Sequence, residues 1–333
     1  MPTPNAGAAI IEEVTSQRCR AIFEAAATKR FVVVGDLMLD EFVWGKVSRI
    51  SPEAPVPVVH VTGESWFPGG AANVARNLHE FARSVAVAGI TGADAAAERL
   101  LGLLAEAGID VANVHRDAAC ATIVKTRIIA RQQQIVRVDR ERPRAAQRME
   151  GIEALVSAAD AIVVADYGKG AITQEIADQL CDLARKHHRI LAVDPNPGNP
   201  VRWRHVTAIK PNRAEALRAA GADDDDKAIE AVGRQLLDQW NAELLLLTLG
   251  EEGMMLFEHG KPPYHTPTRA REVFDVSGAG DTAIAVLTAA LTGGAAPTEA
   301  AEIANAASGI VVGKLGTAAV TLEELAGSFE ARA

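Results

Sequence analysis

The chain has few aromatic residues, few cysteines and no excess of positive charge. Only 4% of its 333 residues are aromatic, and 34 basic residues face 43 acidic ones, which gives a net charge of −9. Without a basic excess, nucleic acid and anionic membranes are not expected partners. Cys19, Cys120 and Cys181 lie far apart with no CxxC spacing, so neither a disulfide framework nor a zinc site is expected. Reduced thiols in a cytoplasmic protein fit this pattern.

Long hydrophobic stretches are also missing. No apolar run approaches the roughly 18 residues that a membrane-spanning helix needs, and the N-terminus lacks the basic region of a signal peptide. We therefore expect neither a membrane anchor nor export. With 48% hydrophobic and 23% charged residues, the composition is that of a globular protein and excludes a disordered or coiled-coil chain.

Short apolar runs alternate along the chain with stretches of helical period. Runs bounded by turn residues predict strands buried on both faces, at residues 31–34, 161–164, 190–193, 207–209 and 244–247. Apolar residues spaced three and four apart predict helices over 93–107, 173–187, 226–240 and 297–312. This alternation predicts an α/β fold with a mainly parallel central sheet flanked by helices.

Two segments break the alternation. Residues 41–61 have no helical period and contain Pro52, Pro55 and Pro57, and residues 122–139 read as two extended segments. Proline confines a strand to an edge or a bulge. We expect these segments to form a small inserted β-sheet lid, with two irregular surface loops as the alternative.

The expected organisation is a single domain over residues 1–333. Its lid insertions lie at about 41–62 and 121–140. Residues 1–28 form an N-terminal helical extension, with a helix expected over 9–27.

The strongest local signal is the segment DVSGAGDT at residues 275–282. It leads into an apolar helical stretch, so the amides of Gly278, Ala279 and Gly280 are expected to lie uncovered at a helix N-terminus that can hold an anion. Asp281 in the first turn could take a proton from a hydroxyl that attacks a phosphoryl group. A simple helix cap is the alternative for Asp281.

The better-known phosphate-binding loops are absent from the sequence. GIVVGKL at residues 309–315 is one residue too short for a P-loop, and Leu315 stands where Ser or Thr would hold magnesium. No GxGxxG follows the first strand, because Gly35 leads directly into Asp36. The main sequence evidence for a dehydrogenase is therefore missing.

Three further positions carry polar groups beside predicted strands. In PGGAAN, Gly69 and Gly70 would let a polyhydroxylated ligand approach the backbone, and Asn73 offers a donor and an acceptor to sugar hydroxyls, although an ordinary glycine turn is the alternative. Asp36 follows the first strand, where open α/β sheets bind ligands. In KPNRAE, Asn212 and Glu215 share one face of a new helix, and a capping box is the alternative.

The order of these segments resembles that of the ribokinase-like carbohydrate kinases. GGAAN comes early, NxxE in the middle, Thr248-Leu249-Gly250 after a late strand and GAGD near the C-terminus, over about residues 30–321. The resemblance implies one α/β domain with a small β lid, ATP at the C-terminal part of the sheet and a sugar under the lid.

Carried over residue by residue, the resemblance also implies roles. Asp281 would be the catalytic base, with Gly278, Ala279 and Gly280 as an anion hole. Glu215 would hold Mg²⁺ through water, and Asp275 would lie near a monovalent cation such as K⁺. The residues implied to contact the nucleotide are Asn212, Arg213, Ala214, Glu215, Thr248, Gly250 and Asn305.

A narrower resemblance is to the D-glycero-β-D-manno-heptose 7-phosphate kinases. It rests on the segments GDLMLDEFVWGKVSRISPEAPVPVV, PGGAANVARN, RQQQIVRVD, DYGKG and NAASGIVVGKLGT. It implies ATP-dependent phosphorylation of the C1 hydroxyl, giving heptose 1,7-bisphosphate for ADP-heptose and lipopolysaccharide core biosynthesis. Many relatives carry a fused nucleotidyltransferase, but this sequence ends at Ala333, so we expect the kinase alone and a separate protein that adds the nucleotide.

A sugar that already carries a phosphate needs cations as well as groups that bind hydroxyls. Arginine can donate two hydrogen bonds to a phosphate at once, whereas lysine acts as a point charge. Solvated lid charges are the alternative for each cation. The expected substrate residues are Asp36, Gly69, Gly70, Asn73 and Asp166 for the sugar, and one or more of Arg131, Arg137 and Lys169 for its distal phosphate.

Two other functions stay open: a kinase of another sugar or sugar phosphate, and a non-catalytic sensor of sugar phosphates. We also expect a homodimer through the lid. A small two-sided sheet cannot bury alone the apolar side chains of Val43, Trp44, Val56 and Val58. Lids of the resembled family also often pair between subunits.

Overall fold

The computed structural model of the chain describes residues 14–131, 133–142, 145, 149, 151–222, 229–270, 273, 276–314 and 318–330. The strands are β1 (Arg30–Gly35), β2 (Leu37–Ile50), β3 (Pro57–Gly70), β4 (Ser84–Thr91), β5 (Asp110–Arg116), β6 (Ala121–Ala130), β7 (Gln133–Arg142), β8 (Ala161–Ala165), β9 (Ile190–Asp194), β10 (Val206–Ile209), β11 (Ala242–Thr248), β12 (Met254–Glu258) and β13 (Tyr264–Thr266). The helices are α1 (Ser16–Ala26), α2 (Ala71–His79), α3 (Ala95–Glu106), α4 (Ile152–Ala158), α5 (Gln174–His187), α6 (Arg213–Ala220), α7 (Ile229–Gln239), α8 (Ala279–Thr292), α9 (Pro297–Val311) and α10 (Leu322–Gly327).

The larger of two sheets, the main sheet, has the strand order β13-β12-β11-β10-β9-β8-β1-β4-β5 within the described residues. The strands from β11 to β5 pair in parallel, and β12 and β13 add an antiparallel edge. The five predicted apolar runs are all neighbouring strands of this sheet. The prediction of a mainly parallel α/β fold is therefore confirmed.

Helices cover both faces of the main sheet because successive strand residues point to opposite sides. On β1, Phe31 and Val33 pack into one apolar cluster, with α1, α2, α3, α8, α9 and α10. Val32 and Val34 pack into the other, with α4, α5, α6 and α7. Burial on both faces explains why these strands are continuously apolar.

The predicted helices over 93–107, 173–187 and 297–312 correspond to α3, α5 and α9. The helix predicted from residue 226 is described from Ile229, because residues 223–228 lie outside the described residues. The N-terminal helix begins at Ser16, where the prediction was residue 9. Thr15 caps it by accepting the N–H of Arg18 at 3.1 Å, and residues 9–13 lie outside the described residues.

The second sheet, the small sheet, has the order β3-β2-β6-β7. Its strands cover the segments expected to form the lid, and β2 and β3 are longer than expected. β2 follows β1 after one residue, Asp36, and β3 leads directly into α2. Pro52 lies in the turn between β2 and β3, and Pro57 is the first residue of β3. Neither proline therefore interrupts the hydrogen bonds between the two strands.

No helix in the described part of the chain is both long enough and apolar enough to cross a membrane.

Gly35 is the last residue of β1 and pairs with Ala165 of β8. A Cβ atom at this position would stand 2.1 Å from the carbonyl oxygen of Ala165. We expect Gly35→Ala to force the two strands apart and to lower the free energy of unfolding by about 1–3 kcal/mol. Urea denaturation followed by circular dichroism measures this. Gly102→Ala in α3 is the control, because the added methyl meets no neighbouring group within 4 Å, and equal losses in the two variants would contradict the prediction.

Candidate active site

A cleft of about 620 Å³ opens at the carboxyl ends of the parallel strands. Parallel strands end at the same edge of a sheet, so the residues that follow β9, β10 and β11 meet there. The start of α8 closes the floor of the cleft. The small sheet supplies one wall through Met38, Asp40, Lys125 and Arg127.

Asp281 lies in the first turn of α8 and is buried beside the cleft. Asn73 on α2 donates to its Oδ2 at 2.7 Å, and the hydroxyl of Tyr167 donates to its Oδ1. Burial raises the pKa of the Asp281 carboxyl above its ordinary value, while these two hydrogen bonds and the charge of Lys210 act in the opposite direction. Asp281 is thus held by other segments and does not simply cap its own helix.

The N-terminus of α8 presents fewer uncovered amides than expected. Gly278 precedes the helix in the left-handed conformation, with φ of 81°, which glycine adopts readily. The N–H of Ala279 donates to the carbonyl of Val276 at 3.3 Å. The prediction that the amide of Ala279 is uncovered was therefore wrong. The N–H groups of Gly278 and Gly280 have no acceptor within the described residues. Gly278 and Gly280 both line the cleft.

The residues of the GGAAN segment differ in whether they line the cleft. Gly70 lines the cleft, and Gly69 packs so closely that a Cβ would stand 2.4 Å from Oδ2 of Asp40. Asn73 does not line the cleft but supports Asp281. Asn77, one turn later, accepts the hydroxyl of Thr282 at 3.0 Å and donates to the carbonyl of Asn73 at 2.9 Å. These contacts fix α2 against α8.

Asp36 does not point into the cleft, contrary to the expectation that it would bind a sugar. Its carboxylate accepts three backbone N–H groups of the loop after β8: Tyr167 at 2.8 Å, Lys169 at 3.1 Å and Ala171 at 2.9 Å. A carboxylate with three backbone donors is a structural anchor. Asp36 therefore shapes the loop.

Asp166 also lies behind the cleft. Its carboxylate accepts the N–H of Gly168 at 2.8 Å and the side-chain amide of Asn199 at 2.9 Å. Burial raises the pKa of Asp166 to about 6, against the effect of these hydrogen bonds. Asp166 thus holds the same loop as Asp36 and does not line the cleft.

The three cations expected to bind a distal phosphate lie elsewhere. Arg131 is exposed in the turn after β6, with φ of 51°. Arg137 makes two hydrogen bonds to Asp139, at 2.8 and 3.0 Å. Lys169 pairs with Glu141 at 2.7 Å. The described residues that line the cleft include none of these three.

Two cations of the small sheet, Lys125 and Arg127, also line the cleft, and both were missed from the sequence. Lys125 and Arg127 alternate along β6 and face the same side. Arg127 pairs with Asp40 at 2.5 Å and lies 5.3 Å above the ring of Phe42. The period-two spacing of Lys125 and Arg127 was the available signal, because it placed both charges on one face of a predicted strand.

Asn212 and Glu215 form the capping box that was left open as an alternative. The N–H of Glu215 donates to Oδ1 of Asn212 at 2.9 Å, and the N–H of Asn212 donates to Oε2 of Glu215 at 2.8 Å. Both residues also line the cleft, as do Arg213 and Ala214. Capping and ligand binding are therefore compatible here.

Lys210 and Asp194 form a buried ion pair at the base of the cleft, which the sequence reading also missed. The Nζ of Lys210 lies 3.0 Å from Oδ2 of Asp194. Burial raises the pKa of Asp194 to about 7, and Lys210 opposes this. A Cβ on Gly280 would stand 3.4 Å from the same Nζ, so the lysine lies against the start of α8.

A second, more apolar pocket of about 520 Å³ adjoins the cleft, with Thr248 and Gly250 lining both. Asn305 lines only the second pocket, and its amide donates to the Thr266 hydroxyl at 3.1 Å and to the Pro267 carbonyl at 2.6 Å. Asp275 lies outside the described residues. Among the residues that are described, no three His, Cys, Asp or Glu side chains cluster as metal ligands would.

Comparison with known proteins points to one group. A family model described as pfkB family carbohydrate kinase matches residues 28–324. The chain is 44% identical over 297 residues to the bifunctional protein HldE of Pseudomonas aeruginosa, which covers 88% of this chain and 62% of that protein. It is 42% identical over 316 residues to the bifunctional protein HldE of Geobacter sulfurreducens, which covers 93% and 64% respectively. The chain thus spans less than two thirds of the length of these relatives.

Solved structures share the fold. The ribokinase of Arabidopsis thaliana complexed with ribose and ATP superposes with a TM-score of 0.72 at 18% identity, covering 92% of this chain and 100% of that one. The phosphofructokinase-2 of Escherichia coli in complex with potassium gives a TM-score of 0.75 at 18% identity, covering 91% and 98%.

Proposed function

Since the chain belongs to the pfkB family of carbohydrate kinases, as its resemblance predicted, we propose that it phosphorylates the C1 hydroxyl of D-glycero-β-D-manno-heptose 7-phosphate with ATP. That it is a sugar kinase follows from the family. The observation that carries the proposed reaction is the position of Asp281, a buried carboxylate beside glycine amides at the floor of a cleft walled by cations.

The nucleotide spans the two adjoining pockets. Its base enters the more apolar pocket, next to Asn305, and its ribose passes Thr248 and Gly250, which line both pockets. The triphosphate extends along the 212–215 turn towards the start of α8. Lys210 and the amides of Gly278 and Gly280 then meet the γ-phosphate, where helix dipole and N–H donors favour negative charge.

The polar residues of the cleft fit a magnesium ion. Mg²⁺ is usually held by one or two carboxylates together with substrate phosphates and water. Glu215 lines the cleft, and one of its oxygens accepts the N–H of Asn212 at 2.8 Å, which leaves the other for a magnesium-bound water. When bound, Mg²⁺ neutralises charge on the nucleotide phosphates.

Asp281 accepts the proton of the C1 hydroxyl as its oxygen attacks the γ-phosphorus. A new P–O bond forms to the sugar, the bond from the γ-phosphorus to the bridging oxygen breaks, and ADP leaves with that oxygen. The amides of Gly278 and Gly280 stabilise charge on the transferred phosphoryl oxygens.

The distal phosphate of the sugar lies against the small sheet. Lys125 and Arg127 are the cations of that wall, and Arg127 is already aligned by Asp40 at 2.5 Å. A guanidinium held by one carboxylate still has donors for a phosphate. This assignment replaces Arg131, Arg137 and Lys169.

Asp281→Asn should retain ATP binding and lose about 10²- to 10⁴-fold in kcat, the usual contribution of a general base. ADP release in a coupled assay and calorimetric titration with ATP measure the two effects. Asp182→Asn, which removes an exposed carboxylate of α5, should behave like the unaltered protein. A kcat within a few-fold of normal for Asp281→Asn would disprove the role.

Arg127→Gln should lower kcat/KM for heptose 7-phosphate by roughly 10- to 100-fold, because a hydrogen bond to a charged group is lost. Arg137→Gln is the matched control, since Arg137 lies opposite Arg127 on the next strand but does not line the cleft. The assay compares heptose 7-phosphate, unphosphorylated heptose and fructose 6-phosphate as substrates. A preference for either of the last two would contradict the proposed substrate.

We also propose a homodimer through the small sheet. The exposed apolar residues of this sheet and of its β2–β3 turn include Ile50, Val56 and Val61, with 61%, 51% and 48% of their surface accessible. Of the residues expected to be exposed, Val43, Trp44 and Val58 are half-buried and only Val56 is exposed. Apolar groups concentrated on one small sheet favour pairing with a second copy.

Light scattering at micromolar concentration should give a mass of about twice 35.1 kDa. Replacing Ile50 and Val56 together by lysine should halve that mass, because two charges would be buried at the interface. Val273→Lys changes an exposed valine outside the small sheet and should leave the mass unchanged. A monomer before any substitution would rule the dimer out.

A further inference from the structure

Tyr167 belongs to the DYGKG segment, and the proposed reaction gives it no role. It lies in the loop after β8 and lines the cleft. Its hydroxyl donates to Oδ1 of Asp281, while Asn73 donates to Oδ2 at 2.7 Å. Each oxygen of the proposed base therefore has one protein donor, and the two donors come from different segments, α2 and the loop after β8.

The backbone on either side of Tyr167 is firmly held. Asp36 accepts the N–H of Tyr167 itself at 2.8 Å and those of Lys169 and Ala171 further on. Asp166 accepts the N–H of Gly168 at 2.8 Å. Lys125 of the small sheet lies 5.8 Å from the Tyr167 ring. Two buried carboxylates thus hold one short loop, and the side chain of this loop that lines the cleft is that of Tyr167.

We propose that Tyr167 is a positioning residue for Asp281, whose phenol fixes the carboxylate and keeps it ionised for the acceptor hydroxyl. The proposal rests on the proposed function, because it takes Asp281 as the base. A carboxylate oxygen offers more than one acceptor position, so the sugar hydroxyl can bind Asp281 while Tyr167 and Asn73 stay in place. Removal of the phenolic hydroxyl leaves Asp281 present but less well aligned and easier to protonate.

Charged groups on several elements face Asp281 and also shift the pKa of its carboxyl. Lys210, after β10, favours the carboxylate, whereas Asp40 on β2 disfavours it. Asp194 on β9 and Arg76 on α2 also interact with Asp281 through their charges. None of these groups changes in a Tyr167→Phe variant, so the variant isolates the contribution of one hydrogen bond.

Tyr167→Phe should move the acidic limb of the pH profile of kcat/KM upward by about one unit, because a hydrogen bond to the charged form lowers the pKa of a carboxyl. That limb reports the free enzyme. On the plateau we expect kcat to fall by about tenfold or less, well short of the loss in Asp281→Asn. A role in loop structure alone would lower activity at every pH without moving the limb.

The matched control is Tyr264→Phe. Tyr264 and Tyr167 are the two tyrosines of the chain, and the hydroxyl of Tyr264 likewise donates to a carboxylate, that of Glu302. Its contact lies away from the cleft, so the pH profile should overlay that of the unaltered protein. A shift of equal size in both variants would overturn the proposal.

A second measurement needs no sugar. In protein labelled with ¹³C at the aspartate carboxyl carbon, the resonance missing from Asp281→Asn identifies Asp281. Its titration midpoint should rise by about one unit in Tyr167→Phe and stay unchanged in Tyr264→Phe. An unchanged midpoint in Tyr167→Phe overturns the proposal. A raised midpoint without ADP release on heptose 7-phosphate would support Tyr167 and reject the proposed function instead.

Discussion

A buried carboxylate is stable only where protein donors replace the water it has lost, and the arrangement around Asp281 meets this requirement. The donors come from α2 and from the loop after β8, which are distant in sequence from α8. Both must therefore be brought to the start of α8 and held there. The packing of α2 on α8 through Asn77 and Thr282 serves this need, and so does the capture of three loop amides by Asp36.

Much of the fold follows from burial along the chain. A strand covered on both faces has to be apolar at every position, and for that reason the runs now seen as β1, β8, β9, β10 and β11 could be recognised without a partner. The edge strands were less visible. β13 has only three residues, Tyr264–Thr266, too few to show a period. The full length of β2 and β3 was hidden because β2 begins one residue after β1 and β3 ends directly before α2.

The site was harder to predict than the fold, because a side chain's role depends on its partner. Asp36 and Asp166 have the residue type and the place of ligand-binding groups, but backbone amides satisfy both. Lys169 and Arg137 were expected to bind the distal phosphate, but Lys169 pairs with Glu141 and Arg137 with Asp139. Asn212 and Glu215 show the opposite case. Their capping box and their place in the cleft coexist, so the two interpretations of NxxE never excluded each other.

The strand order of the main sheet also bears on how the chain folds. β1 lies between β4 and β8, so one of its edges stays open until residues 161–165 have been made. An apolar strand with an open edge can pair with other chains, and contacts between distant segments form slowly. The incomplete chain is therefore more prone to aggregate than the finished protein. The hydrogen bonds of Asp281 need residues 73, 167 and 281 together, so a chain interrupted before α8 can bury its first strands but cannot form these contacts.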